Sequence, residues 1–198
     1  MTNRRVLWLL PVHLHFHAGH DVEVMVFCGV AMKSAGTVPD VTATVAFPDG
    51  KLLQLEAGRE GEVGYIRFPA GDEGLYTLTA ETGGNTARLL VQVGHHVHGE
   101  GKPGGKGMEI VPLHYREYHL QDTIEMQVLL DGCPVEGAVV SAVSHLQEGT
   151  DYSHRMKAGE GGMVRFTFPG KGHWLFVAES PGAVSGDRFA TLVVPGVR

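Results

Sequence analysis

The chain has 198 residues, 43% of them hydrophobic, with 28 glycines and a formal net charge of −6 at pH 7. That length suits one large domain or two small ones, with enough apolar content for packed cores. The evenly spread acidic balance argues against nucleic acid as a partner, because phosphate binding needs a basic surface. No apolar run of about 18 residues is present, so no transmembrane segment is expected.

Arg4-Arg5 followed by Val-Leu-Trp-Leu-Leu-Pro-Val imitates a short leader. The apolar run is brief, contains Pro11 and lacks a small-x-small cleavage site. It reads as an opening strand, which leaves a cytoplasmic location open.

The next segment, VHLHFHAGHD over 12–21, sets His13, His15 and His17 at alternate positions, with His20 following in the turn. In a strand, three such side chains share one face about 6–7 Å apart, while Leu14 and Phe16 point the other way, into a core. Val22, Val24 and Val26 then alternate with Glu23 and Met25, a period of two and not 3.6. Asp49-Gly50 marks a turn. A second histidine group, His95, His96 and His98, closes the first half.

Residues 99–107, GEGKPGGKG, hold too much glycine for a regular element and read as a linker. Beyond it the pattern starts again. Pro11, His13, Asp21 and Met25 recur as Pro112, His114, Asp122 and Met126. Phe68-Pro69 recurs as Phe168-Pro169, Tyr76 as Trp174, and Ala80-Glu81 as Ala178-Glu179. The reading is an internal duplication: a first domain over 1–98 and a second, its repeat, over 108–198. Short β-rich runs bounded by Gly, Pro and Asp, with the turn Asp131-Gly132, predict an all-β fold of two tandem immunoglobulin-like β-sandwich domains.

Neutral imidazole suits nickel, cobalt, copper and zinc. If the first and last strands of domain one lie together, His13, His15, His17, His20, His95, His96 and His98 gather as candidate ligands, with Asp21 and Glu100 as candidate carboxylates. Two plainer readings stand beside this one: a solvated polar face that happens to use histidine, and a pH-sensitive surface. His119, His145, His154 and His173 read as isolated surface or turn residues, and Trp174 as core. Cys28 and Cys133 lie in different halves and are not expected to pair. No catalytic motif is present, and Asp151, Ser153 and His154 do not make a triad by proximity in sequence alone. The chain therefore reads as a non-catalytic binding protein. Its alternative role is a structural or adhesive module for a protein or carbohydrate partner.

The blocks GMEIVPL, DTIEMQVLLDGCPVEGAVVSAV, GGMVRFTFPGKGHWLFVAES and RFATLVV resemble an exported domain-of-unknown-function family found beside nickel and cobalt energy-coupling-factor transporters. The resemblance covers about 108–194 well and the first half more weakly. It implies an all-β fold, a periplasmic location, and a role in nickel or cobalt uptake with a membrane transporter component as partner. Exported members tend to place a histidine just before the first strand. Arg5-Val6 stands there in this chain, so no terminal-amine metal site is carried over.

Overall fold

The computed structural model describes residues 4–181 and 188–198. The first half forms β1 (Val6–Pro11), β2 (His20–Val30), β3 (Lys33–Ser34), β4 (Thr42–Ala46), β5 (Leu52–Glu56), β6 (Gly58–Glu60), β7 (Val63–Ala70), β8 (Gly74–Thr82) and β9 (Asn85–Val93). The second forms β10 (Met108–Pro112), β11 (Thr123–Leu130), β12 (Cys133–Pro134), β13 (Val139–Ser144), β14 (His154–Lys157), β15 (Met163–Thr167), β16 (Gly172–Glu179) and β17 (Phe189–Val197). A three-residue 3-10 turn, Glu160–Gly162, is the one helical element among the described residues. The fold is all-β, as its composition and turn chemistry require.

Each half is an immunoglobulin-like sandwich. In the first, β1-β2-β7 make one sheet and β9-β8-β4-β5 the other. In the second, β10-β11-β15 and β17-β16-β13-β14 repeat that order. Alternation builds each inner face: Val22, Val24 and Val26 of β2 are fully buried, while Glu23 and Met25 between them are only half-buried. The turns follow their residues. Asp131-Gly132 joins the paired Leu130 and Cys133, with φ of 49° and 79° as a two-residue hairpin turn demands. At the corner entering β8, the Tyr76 hydroxyl donates to the Asp72 carbonyl at 2.8 Å. Its counterpart Trp174 does the same through Nε1 to the Gly170 carbonyl at 2.9 Å. Trp174 is core, as its place in the repeat implies. Cys28 and Cys133 are both free thiols.

The halves are fused through their sheets. β17 pairs with β9 in parallel, from Ala190 beside Thr86 to Val193 beside Leu89, giving one eight-stranded sheet. The two smaller sheets cover opposite faces of it. Along β9, Leu89 and Val91 join the first core and Leu90 the second; along β17, Val193 joins the first, and Leu192 and Val194 the second. A strand covered on both faces reads as a continuous apolar run, which is why β9 carries Ala-Arg-Leu-Leu-Val and β17 carries Thr-Leu-Val-Val. Each last strand also crosses the opposite first strand. Thr191 donates to the Leu7 carbonyl at 2.7 Å, and Thr86 donates to the Met108 carbonyl.

The glycine-rich segment 99–107 is fastened at several points along this seam. The Arg88 guanidinium meets Glu109 at 2.6 Å, their side chains 3% and 2% exposed. Glu109 also accepts from the Gly104 and Gly105 amides at 2.8 and 3.2 Å, and Arg88 donates to the Lys102 carbonyl at 3.1 Å. The segment is thus a wrapped buckle around a buried ion pair.

The spacing of 101 residues that relates Asp21 to Asp122 and Met25 to Met126 does not survive as strand register. Val24 pairs with Ile66, and Ile124 with Phe166. Because Phe68-Pro69 recurs as Phe168-Pro169, a spacing of 100, the equivalent of Val24 is Ile124. Met25 and Met126 therefore lie on opposite faces, the first half-buried and the second fully buried. One residue of slip exchanges the two faces of a strand.

Candidate functional site

The segment between β1 and β2 does not form the expected strand. Pairing of β1 with β2 ends at Pro11 beside Val24, and one more bond follows, from the Val12 amide to the Glu23 carbonyl at 3.0 Å. The chain then leaves that sheet and touches the end of β9, through a single parallel bridge between Phe16 and Val93 and a 2.8 Å bond from the Gly94 amide to the Phe16 carbonyl. Phe16 is buried as expected, but Leu14 is 42% exposed. His13, His15 and His17 are consequently not three rungs of one strand face. His20 is the first residue of β2, beside Ala70, and not a turn residue.

The two histidine groups do meet at one point. The rings of His17 and His95 lie 5.6 Å apart. His13 packs edge-on to Phe16 at 6.1 Å. His15 is held between two partners: Nε2 lies 2.6 Å from the Arg198 guanidinium, and Nδ1 lies 3.6 Å from Glu117. A guanidinium has no lone pair to offer, so Nε2 accepts, and the His15 lone pair is already occupied.

His96 and His98 turn toward the second half. Beyond β9 the chain bends through Gly94 and through His96, whose φ of 54° is left-handed and unusual for a residue with a Cβ. It then pairs with the segment after β10: Gly99 and Tyr115 exchange bonds at 3.0 and 2.7 Å, and the Gly101 amide donates to the Pro112 carbonyl at 2.9 Å. This pairing forms a cleft of about 660 Å³ with His96, His98 and Glu100 on one wall and His114, Glu117 and His119 on the other; Tyr115 and Arg116 complete it. His114 and His119 were not among the ligands expected from sequence. The only signal for them was the recurrence of His13 as His114, which treats the second half as a copy and not as the opposite wall.

A hydrogen bond sets the tautomer of one of these rings, and a carboxylate stands near another. His98 Nδ1 lies 3.0 Å from the His96 carbonyl, so it is the donor there and leaves Nε2 with its lone pair. His119 Nδ1 lies 3.7 Å from the Asp122 carboxylate. The His119 amide donates to that carboxylate at 2.9 Å and, with Arg116 at 3.2 Å, holds Asp122 below the usual carboxylate range. An imidazole whose Nδ1 faces a carbonyl or carboxylate is the usual state of a metal-ligating histidine. The floor is rigid. Tyr118 donates to the His114 carbonyl at 2.6 Å, and burial pushes its phenol up to about 12. Burial drives the Tyr115 phenol higher still, so neither acts as a base near neutral pH. Among the described residues, no three His, Cys, Asp or Glu side chains are drawn together as a finished metal cage.

His145, His154 and His173 are not isolated surface residues. His154 packs on Phe166 and Trp174, at 5.3 and 5.6 Å. The rings of His145 and His173 lie 4.5 Å apart. The His173 amide donates to His145 Nδ1 at 2.9 Å, and the Gly196 amide donates to His173 Nδ1 at 3.0 Å. The His173 acceptor nitrogen must stay unprotonated to keep the Gly196 bond, and burial, then His145, lowers the His173 pKa from 6.5. The unfolded chain therefore binds the extra proton first, and stability rises with pH. The contribution is complete above about pH 6.5 and is lost as pH falls through the lower folded value. Urea midpoints measured from pH 7.5 downward should decline, and His173→Asn, whose Oδ1 can still accept from Gly196, should flatten part of that decline. An unaltered slope in the variant would discard this assignment.

Residues 84–182 match the family model described as Domain of unknown function (DUF4198). The match starts at β9 and ends before β17, so it includes one of the two strands of the seam and every residue lining the cleft. No curated protein matches the chain. Among solved structures, Salmonella alpha-2-macroglobulin reacted with methylamine is 14% identical at a TM-score of 0.38, over 98% of this chain and 14% of that one. The D0-D1 domain of intimin is 11% identical at 0.31, over 97% and 96%. The human OSCAR ligand-binding domain is 9% identical at 0.29, over 96% and 97%.

Proposed function

The chain belongs to the family described as Domain of unknown function (DUF4198), and from its own site we propose that it is a non-catalytic binding protein for a divalent transition metal, nickel or cobalt before zinc or copper. The observation that carries this reading is the cleft between the halves, where His96, His98, His114 and His119 stand with Glu100 and Glu117. Imidazole and carboxylate together suit divalent first-row metals, and the Nδ1 bond of His98 to the His96 carbonyl leaves its Nε2 available. His17 and His95 form an adjoining pair. Delivery to a membrane transporter component from a periplasmic location is the corresponding cellular role, by the resemblance described above.

The test is calorimetric titration of the whole chain with nickel, cobalt, copper and zinc. Binding at micromolar concentration is expected, and His98→Ala with His119→Ala should weaken it at least tenfold, since even the loss of a group that only orients a ligand costs about 10–100-fold. His20→Ala, which touches nothing in the cleft, should leave it unchanged. Equal affinity in the parent and the doubly substituted chain would remove the cleft as the site. No binding of any metal would favour the alternative of a module for a protein or carbohydrate partner.

A further inference from the structure

The dimensions of the cleft say more than its ligand types. A bare ion needs three or four donors converging on a point, whereas a cleft of about 660 Å³ has the size of a small-molecule pocket, typically about 300–1,000 Å³. Its imidazoles are distributed along two walls, and among the described residues they do not converge as a trio. Its charges are mixed: the Arg116 guanidinium lies among the lining residues with Glu100 and Glu117. Such a site can supply one or two nitrogen ligands while leaving room for organic matter that carries both signs.

We infer that the cleft takes its metal already chelated by a small amino-carboxylate molecule, with His98 and His119 supplying ligands to coordination positions the chelator leaves open and Arg116 receiving a chelator carboxylate. This rests on the metal reading above and specifies the form in which the metal arrives. No bond other than coordination changes. Each histidine contributes a lone pair from Nε2 in place of water, and Arg116 remains protonated throughout.

Equilibrium dialysis of the whole chain with radiolabelled nickel and carbon-labelled free L-histidine tests it, because the two labels are counted separately. The expected result is retention of both labels in near-constant ratio, with nickel retained at least tenfold less when histidine is omitted. Arg116→Gln should lower retention of the pair about fivefold or more, and Arg116→Lys, which keeps the positive charge, should restore part of it. His98→Ala with His119→Ala should abolish retention of both. Nickel held equally well without histidine, or held with no carbon label, overturns the chelate inference and leaves the metal site standing. Carbon label held without nickel overturns it as well. Failure to hold nickel in any form defeats the metal reading itself. Circular dichroism of each variant confirms that the fold is kept.

Discussion

Glu109→Leu alone should destabilise the chain by about 3–5 kcal/mol, the cost of leaving one member of a buried ion pair without its partner. The Arg88 and Glu109 side chains are 3% and 2% exposed and 2.6 Å apart. Burial works against the Arg88 charge, and Glu109 is what sustains it. The leucine would strand the guanidinium and release the Gly104 and Gly105 amides that Glu109 now accepts. For a chain of this size the loss corresponds to roughly 6–20 °C in Tm, at about 2–4 °C per kcal/mol. The double variant Arg88→Met with Glu109→Leu should recover more than half of it, because an apolar pair of similar volume removes the charges together. The lost amide partners lie in the exposed segment 99–107, where water can replace them. Urea unfolding of the parent, the single and the double variant gives the comparison. A single variant within about 1 kcal/mol of the parent would mean that solvent reaches the pair.

The β-class, the turns and the inner faces were legible because each is local. Val22, Val24 and Val26 alternate, Asp131-Gly132 favours left-handed backbone, and Trp174 replaces Tyr76 at the same corner. The fusion of the halves was not legible. Five glycines in nine residues at 99–107 look like a flexible tether until Glu109 is known to accept from two of their amides. The apolar runs in β9 and β17 did carry a trace of it, since a strand exposed on one face seldom reads Ala-Arg-Leu-Leu-Val. The histidines were legible as a feature and not as a site. Alternation at His13, His15 and His17 predicts a strand face, but one bridge at Phe16 is all the pairing that segment has. His15 is taken by Arg198, a residue 183 positions away, which no local pattern reports. His114 and His119 reach the cleft through the Gly99–Tyr115 pairing, which is a product of the seam.

The same seam sets the expectation for the separated halves. Heated as a whole chain, the protein should show a single calorimetric transition with equal calorimetric and van't Hoff enthalpies, whereas residues 1–98 expressed alone should give no cooperative unfolding. In the whole chain Val143, Leu175, Val177, Phe189 and Val193 of the second half belong to the core of the first. Burial of one such side chain is worth about 1.5–3 kcal/mol, an upper estimate because the unfolded chain already hides part of that area. Five of them amount to on the order of 10 kcal/mol, comparable with the whole stability of a typical domain, about 5–15 kcal/mol. Cutting the chain would also turn β9, apolar on both faces, into a bare edge open to pairing with other copies, and would leave Arg88 buried beside nothing. Two well-separated transitions in the whole chain, or a monomeric 1–98 fragment with a sharp melt, would show that each sandwich closes its own core. The histidine cleft would then lie between two bodies free to move, and its 660 Å³ would no longer be a fixed measure of what it holds.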